Sequence, residues 1–202
     1  MNSFLPNETA LRKVLIPQNR LQERVSALGQ EISRAFEGKD LAIVAILKGS
    51  FVFAADLLRA MNIQCSIDFM AISSYAGQPG SGVVRITKDL DESIAGRSVL
   101  LVEDIIDTGL TANYLLHNLK QRRPASVDVC ALLDKSARRL IDLPIPYRGF
   151  EIPDVFVVGY GMDYQQRYRH LPHIAVLQLN GGPNAPPQDT TGSDQASNKN
   201  ES

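Results

Sequence analysis

Val99-Leu100-Leu101-Val102-Glu103-Asp104-Ile105-Ile106-Asp107-Thr108-Gly109-Leu110-Thr111 is the stretch from which the rest of the chain can be read. Apolar residues run straight into the adjacent acids Glu103 and Asp104, and Asp107 follows. A Thr-Gly-x-Thr turn then opens a helical pattern. This describes a buried strand that ends in carboxylates and passes through a loop of N–H and hydroxyl donors into a helix N-terminus. Unpaired amides and the helix dipole both favour an anion there, so the loop is a candidate phosphate cradle. The paired acids can hold sugar hydroxyls, directly or through a metal. Phosphate and sugar recognition side by side point to a phosphorylated pentose.

Working outward, helical spacing of Leu21, Val25, Leu28, Ile32 and Phe36 predicts an amphipathic helix over 17–37, with Pro17 near its start and Gly38 after its end. Strands are expected at Leu41–Leu47, Ile63–Ile72, Val83–Thr87, Val99–Asp104, Val127–Leu133, Val155–Tyr160 and Ile174–Leu179, and helices at Phe51–Met61 and Leu110–Gln121. Continuously apolar strands alternating with helices imply an α/β fold with a mostly parallel sheet covered on both faces. Ligands in such sheets bind at the carboxyl ends of the strands, where the acids and glycines of this chain collect. One domain is expected over 1–180. From Gly181 the sequence turns to Gly, Pro, Asn, Gln and Ser, so 181–202 reads as a disordered, solvated tail.

Composition narrows the function classes. The 202 residues suit a single enzyme domain, and a net charge of −1 gives no basic field for nucleic acid. Cys65 and Cys130 are the only cysteines and lie in apolar runs, which suggests buried free thiols in a reducing cytoplasm. The N-terminus lacks a basic, apolar leader, and no window approaches the ~18 apolar residues of a membrane span. Gly77-x-x-Gly80-x-Gly82 lacks the strand-turn-helix context of a dinucleotide fingerprint, and His117, His170 and His173 have no metal-ligand spacing.

The thirteen residues from Val99 to Thr111 resemble the phosphoribosyl-pyrophosphate (PRPP) signature of the type I phosphoribosyltransferases, in the form of the hypoxanthine/guanine branch. The resemblance extends from about Leu41 to Leu179. It implies the type I phosphoribosyltransferase fold, with a small hood and a flexible lid loop. It also implies residue roles. Leu47-Lys48-Gly49-Ser50 matches a pyrophosphate loop, often with a cis peptide before the lysine; from the residues alone it is also a strand-to-helix turn with Ser50 as N-cap. Glu103 and Asp104 match the ribose 2′ and 3′ contacts and would meet Mg2+; solvated loop acids are the bland alternative. Asp107 matches the general acid/base at N7 of the purine, and it could also be a capping acid. Thr108, Gly109 and Thr111 would hold the 5′-phosphate.

Lys135, in Leu133-Asp134-Lys135-Ser136, matches a lysine that donates to O6 of the base. A cation satisfies an oxo group and not an exocyclic amine, so it would select hypoxanthine and guanine over adenine. Phe156 would stack on the purine, the Val157 backbone would contact the ring edge, Asp163 would bind Mg2+, and Arg169 would contact pyrophosphate. Ser74 and Tyr75 match the root of a lid over 73–88 that closes on the site. The partners implied are PRPP and a 6-oxopurine base, with no nucleic acid or membrane; a homo-oligomer, dimer or tetramer, is common in the family. The rival reading is a PRPP- or nucleotide-sensing regulator on the same fold. The net charge and the Asp107, Lys135 and Phe156 set favour catalysis.

Overall fold

Residues 11–74 and 84–178 are described by the structure, a computed structural model of the chain. The chain runs through β1 (Leu11–Ile16), α1 (Gln18–Ala35), β2 (Leu41–Leu47), α2 (Phe51–Ala60), β3 (Cys65–Ser74) and β4 (Val84–Lys88). It continues through β5 (Ser98–Ile106), α3 (Leu110–Gln121), β6 (Ser126–Asp134), a 3-10 turn at Ser136–Arg138, β7 (Tyr147–Glu151), β8 (Val157–Val158) and β9 (Ile174–Leu177). The main sheet has the order β4-β3-β2-β5-β6-β7, parallel except for β4 against β3. A small antiparallel sheet, β1-β9-β8, forms the hood.

The continuous apolar runs of β2 and β5 follow from burial on both faces. Leu41, Ile43 and Ala45 of β2, with Leu100 and Val102 of β5, pack beneath α1 and α2. The alternate residues Ala42, Val44, Ile46, Val99 and Leu101 pack beneath α3. The predicted stripe of α1 is buried at Leu21, Val25, Leu28 and Ile32, and α3 buries Ala112, Leu115, Leu116 and Leu119.

Two strands were not expected from the sequence. β1 is a short strand that pairs only with the distant β9. β7, Tyr-Arg-Gly-Phe-Glu, is a partly exposed edge strand without a buried face to give it an apolar pattern. The strand expected at Val155–Tyr160 shrinks to Val157–Val158, because Gly159, Tyr160 and Gly161 all take positive φ. Ser50 starts α2 without capping it; its hydroxyl is buried and donates to the Ile46 carbonyl at 2.6 Å. Cys130 is buried as expected, but Cys65 is only partly so. Residues 75–83 of the lid expected over 73–88, and the whole of the tail expected over 181–202, lie outside the described residues.

Two ion-paired acids separate burial from mere proximity. The Asp134 side chain is 2 % exposed and pairs with Arg139 and with Arg148, the latter at 3.1 Å. The Asp40 side chain is 69 % exposed and meets Arg97 at 2.7 Å. Asp134→Ala strands cations beside a buried hole and should cost about 3–5 kcal/mol in chemical denaturation. Asp40→Ala, screened by water, should cost less than about 1 kcal/mol even though its partner stands at close range.

Candidate active site

Neighbouring parallel strands end at one level, and the residues just beyond them line a single cleft of about 1060 Å³. Ile106 of β5 lies opposite Asp134 of β6, which lies opposite Glu151 of β7. The chain then places Asp107, Lys135 and Asp154 past the three strand ends. Lys48, Gly49, Asp104, Asp107, Lys135, Phe156, Val157, Asp163 and Arg169 all line this cleft, so nine of the expected positions come together in one space.

At one end of the cleft, Lys135 is only 7 % exposed. Its ammonium donates to Asp154 at 3.3 Å and stands 3.8 Å from Asp107. Arg138 Nε approaches Asp107 Oδ1 to 3.1 Å, yet that buried oxygen receives no hydrogen bond. A buried acceptor without a hydrogen bond is costly and rare, and here the facing Arg138 charge offsets that cost in part. Lys135 N donates to Ile106 O and Leu140 N to Thr108 O, both at 2.9 Å, which ties the turn after β6 to the loop after β5. The sequence reading missed Arg138 and Asp154; their signals are the Arg138-Arg139 pair just after Lys135 and the Ile-Pro-Asp before Phe156.

At the other end, backbones meet without room for side chains. The Leu47–Lys48 peptide is cis. A methyl group on Gly49 would collide with the Asp104 carboxyl, and one on Gly161 would collide with the Gly49 carbonyl. Arg169 pairs with Asp163 at 2.7 Å and donates to the Gly161 carbonyl at 2.7 Å. Burial raises the Asp104 carboxyl, its backbone N–H and Arg169 pull it back, and it settles at about 6. Burial, with the Asp104 charge added, pushes Glu103 well above the usual carboxylate range.

Adjacent residues on a strand face opposite ways. Asp104 opens into the main cleft, whereas Glu103 opens with Thr108, Gly109 and Thr111 into a smaller pocket of about 130 Å³. Asp107 lines both spaces. Gly109 has φ +84° at the start of α3, no side chain caps that helix, and no acid sits in its first turn. Its N-terminal donors are therefore available to an anion. Phe156 holds an edge-on contact with Tyr164, ring centroids 5.7 Å apart, and with Val157 gives the cleft an apolar stretch of wall. Ser74 is the last residue of β3 and pairs with Val84 across the foot of the segment carrying Tyr75, which itself lies outside the described residues.

Among the described residues no group of three or more His, Cys, Asp or Glu converges on a metal position. Asp104 and Asp163 share the main cleft while Glu103 faces away. That donor set fits a divalent ion that takes most of its oxygens from a substrate. No helix among the described residues is long and apolar enough to cross a membrane.

The family described as phosphoribosyl transferase domain matches residues 17–165. Hypoxanthine phosphoribosyltransferase of Escherichia coli K12 is 47 % identical over 170 residues, which cover 83 % of this chain and 96 % of that one. A crystal structure of a hypoxanthine-guanine phosphoribosyltransferase from Bacillus anthracis superposes with a TM-score of 0.80 at 46 % identity, covering 83 % of this chain and 99 % of the other. A hypoxanthine phosphoribosyltransferase structure from Staphylococcus aureus gives a TM-score of 0.81 at 40 % identity, covering 88 % and 97 %. The matched span contains the strand ends that build the cleft up to Asp163, and by that span and those likenesses this chain belongs to the phosphoribosyltransferase family.

Proposed function

We propose that the protein is a purine-salvage enzyme that transfers the phosphoribosyl group of PRPP to hypoxanthine or guanine, giving IMP or GMP and pyrophosphate. The observation that carries the reading is the convergence of Asp107, Lys135 and Phe156 with Lys48, Asp104 and Arg169 in one cleft. A phosphate-sized pocket adjoins it at Asp107. The relatives' names supply the substrate class.

In this reading the 5′-phosphate sits on the α3 N-terminus at Thr108, Gly109 and Thr111. The ribose hydroxyls lie between Glu103 and Asp104, and pyrophosphate lies against the Lys48-Gly49 amides and Arg169. Phe156 stacks on the base, the Val157 backbone meets its edge, and Lys135 donates to O6. A ring nitrogen forms the bond to ribose C1 as the C1–oxygen bond to pyrophosphate breaks, and the N7 proton passes to Asp107. Mg2+, when bound, offsets charge on the pyrophosphate and ribose oxygens, and Asp104 and Asp163 would hold it. Ser74 and Tyr75 belong to the lid of this proposal. The free thiols Cys65 and Cys130 agree with a cytoplasmic location.

Incubating the protein with PRPP, Mg2+ and a panel of free bases tests the assignment directly. IMP and GMP should form, and AMP should not. Tight PRPP binding without turnover of any base would favour the regulator instead.

Asp107→Asn should lower kcat by roughly 10²- to 10⁴-fold while PRPP binding changes little. An unchanged kcat would reduce Asp107 to a structural acid. Lys135→Ala should lower kcat/KM for hypoxanthine and guanine by ~2–4 kcal/mol, with adenine affected far less. Equal losses for all bases would show that Lys135 shapes the cleft without reading O6.

The raised Asp104 carboxyl gives two opposite pH trends. PRPP and Mg2+ need it ionised, so kcat/KM for PRPP should fall as pH drops through about 6. Its pKa is lower in the unfolded chain, so the folded state binds the extra proton between about 4 and about 6. The empty protein should therefore melt at a higher temperature at pH 5 than at pH 7. Asp104→Asn should raise the melting temperature at pH 7 and flatten that slope while removing PRPP turnover. A wild-type melting temperature that falls steadily from pH 7 to 5 would contradict this.

A further inference from the structure

Four charged side chains at the base end of the cleft form a closed ring of alternating sign. Asp107 Oδ1 is 3.1 Å from Arg138 Nε, and Arg138 Nη1 is 3.2 Å from Asp154 Oδ1. The same Asp154 Oδ1 accepts from Lys135 Nζ at 3.3 Å, and Lys135 Nζ closes the ring 3.8 Å from Asp107 Oδ2. One oxygen thus receives both cations.

Asp154 has no comparable tie to the fold. Its side chain is 37 % exposed, and among the described residues its carboxylate accepts hydrogen bonds from Lys135 and Arg138 alone. Burial acts to raise its pKa, but the Lys135 hydrogen bond and the charges of Lys135 and Arg138 outweigh that and hold it below the usual carboxylate range. Lys135 depends on it more heavily. A nearly buried ammonium on a long flexible stem needs a charged acceptor, and among the described residues Asp154 accepts the one hydrogen bond that Nζ donates. Asp107 at 3.8 Å is too far for a hydrogen bond.

We propose that Asp154 is a positioning residue: by holding Lys135 on the oxygen that also takes Arg138, it aims the ammonium at O6 of the base and keeps Lys135 from closing on Asp107. The proposal rests on the assignment of Lys135 to O6 and of Asp107 to the N7 proton. Without the Asp154 charge, two cations share Asp107 as their remaining anion. Lys135 then swings toward its Oδ2, so the base loses its donor at O6 and the N7 proton meets an acceptor already engaged by a cation. The effect should appear in the base and in kcat, while PRPP, whose proposed contacts include neither Asp154 nor Lys135, should be little affected.

The full-length protein tests this with Asp154→Asn, Asp154→Glu, Lys135→Ala and the double variant Lys135→Ala/Asp154→Asn, assayed with hypoxanthine, PRPP and Mg2+. Asp154→Asn should lower kcat/KM for hypoxanthine by on the order of 10-fold or more, with KM for PRPP and the melting temperature essentially unchanged. Asp154→Glu should recover most of the loss. In the Lys135→Ala background the further loss from Asp154→Asn should shrink to roughly threefold or less, because the partner it positions is gone. The proposal is overturned if Asp154→Asn matches the wild type. It is equally overturned if the loss is undiminished in the Lys135→Ala background, or is matched by a lower melting temperature and a higher KM for PRPP. Failure of the wild-type protein to use any 6-oxopurine would instead strike the functional assignment itself, a result separable from these.

Discussion

The parallel register of β5, β6 and β7 is the constraint on which the site depends. Ile106, Asp134 and Glu151 stand side by side, so the chain leaves three neighbouring strands at one level. A slip of one residue in any of them would turn its side chains to the other face of the sheet. The core on both faces resists that slip: Leu100 and Val102 pack on one side, Val99 and Leu101 on the other, and all four are fully buried. Precision at the cleft is thus inherited from apolar packing well away from it. The buried Asp134, with Arg139 and Arg148, extends the same control to the turn that carries Lys135 and Arg138.

Charge is treated differently at the two ends of the cleft. The base end balances two acids against two cations in a ring. The end at Asp104 and Arg169 is left short of compensation, with Asp104 raised to about 6, and Glu103, facing the smaller pocket behind it, is raised by burial and by its neighbour. On the proposed assignment, such desolvated carboxylates would hold free energy that ribose hydroxyls and a divalent ion release on binding. The empty protein is therefore less stable than its core alone would make it, a tension common where a site must be ready for charge it does not itself contain.

Most of the architecture was legible because its central strands are buried on both faces and its helices carry clear stripes. The runs Leu41–Leu47 and Val99–Asp104 and the stripe from Leu21 to Ile32 declare themselves in the sequence. β1 and β7 did not, since edge strands owe their existence to a partner distant in sequence rather than to their own pattern. The strand overestimated at Val155–Tyr160 shows the converse: apolar content suggested more sheet than the left-handed turn at Gly159 to Gly161 permits. That turn brings Gly161 onto Gly49, a contact between loops more than a hundred positions apart. At the site, Asp107 and Lys135 could be found from local motifs. Arg138 and Asp154 could not, because their meaning lies in a ring assembled from separate strand ends.

The neutral sum of that ring bears on how a base is chosen. With two carboxylates opposing an ammonium and a guanidinium, the net field at the base is small, so discrimination falls to the polarity of individual hydrogen bonds. Lys135 Nζ is a donor only. In the proposed assignment an oxo group at the purine 6-position completes it, whereas an amino group would set donors against donors. On the other side, the proposed assignment gives the Asp107 carboxylate the ring N–H to accept from. A 6-oxopurine carries the acceptor and the donor in that complementary order. On the proposed assignment, selectivity would follow from the nearly buried Lys135 donor and the Asp107 acceptor, which adjacent strands hold side by side, with Phe156 as a flat surface indifferent to which purine lies on it.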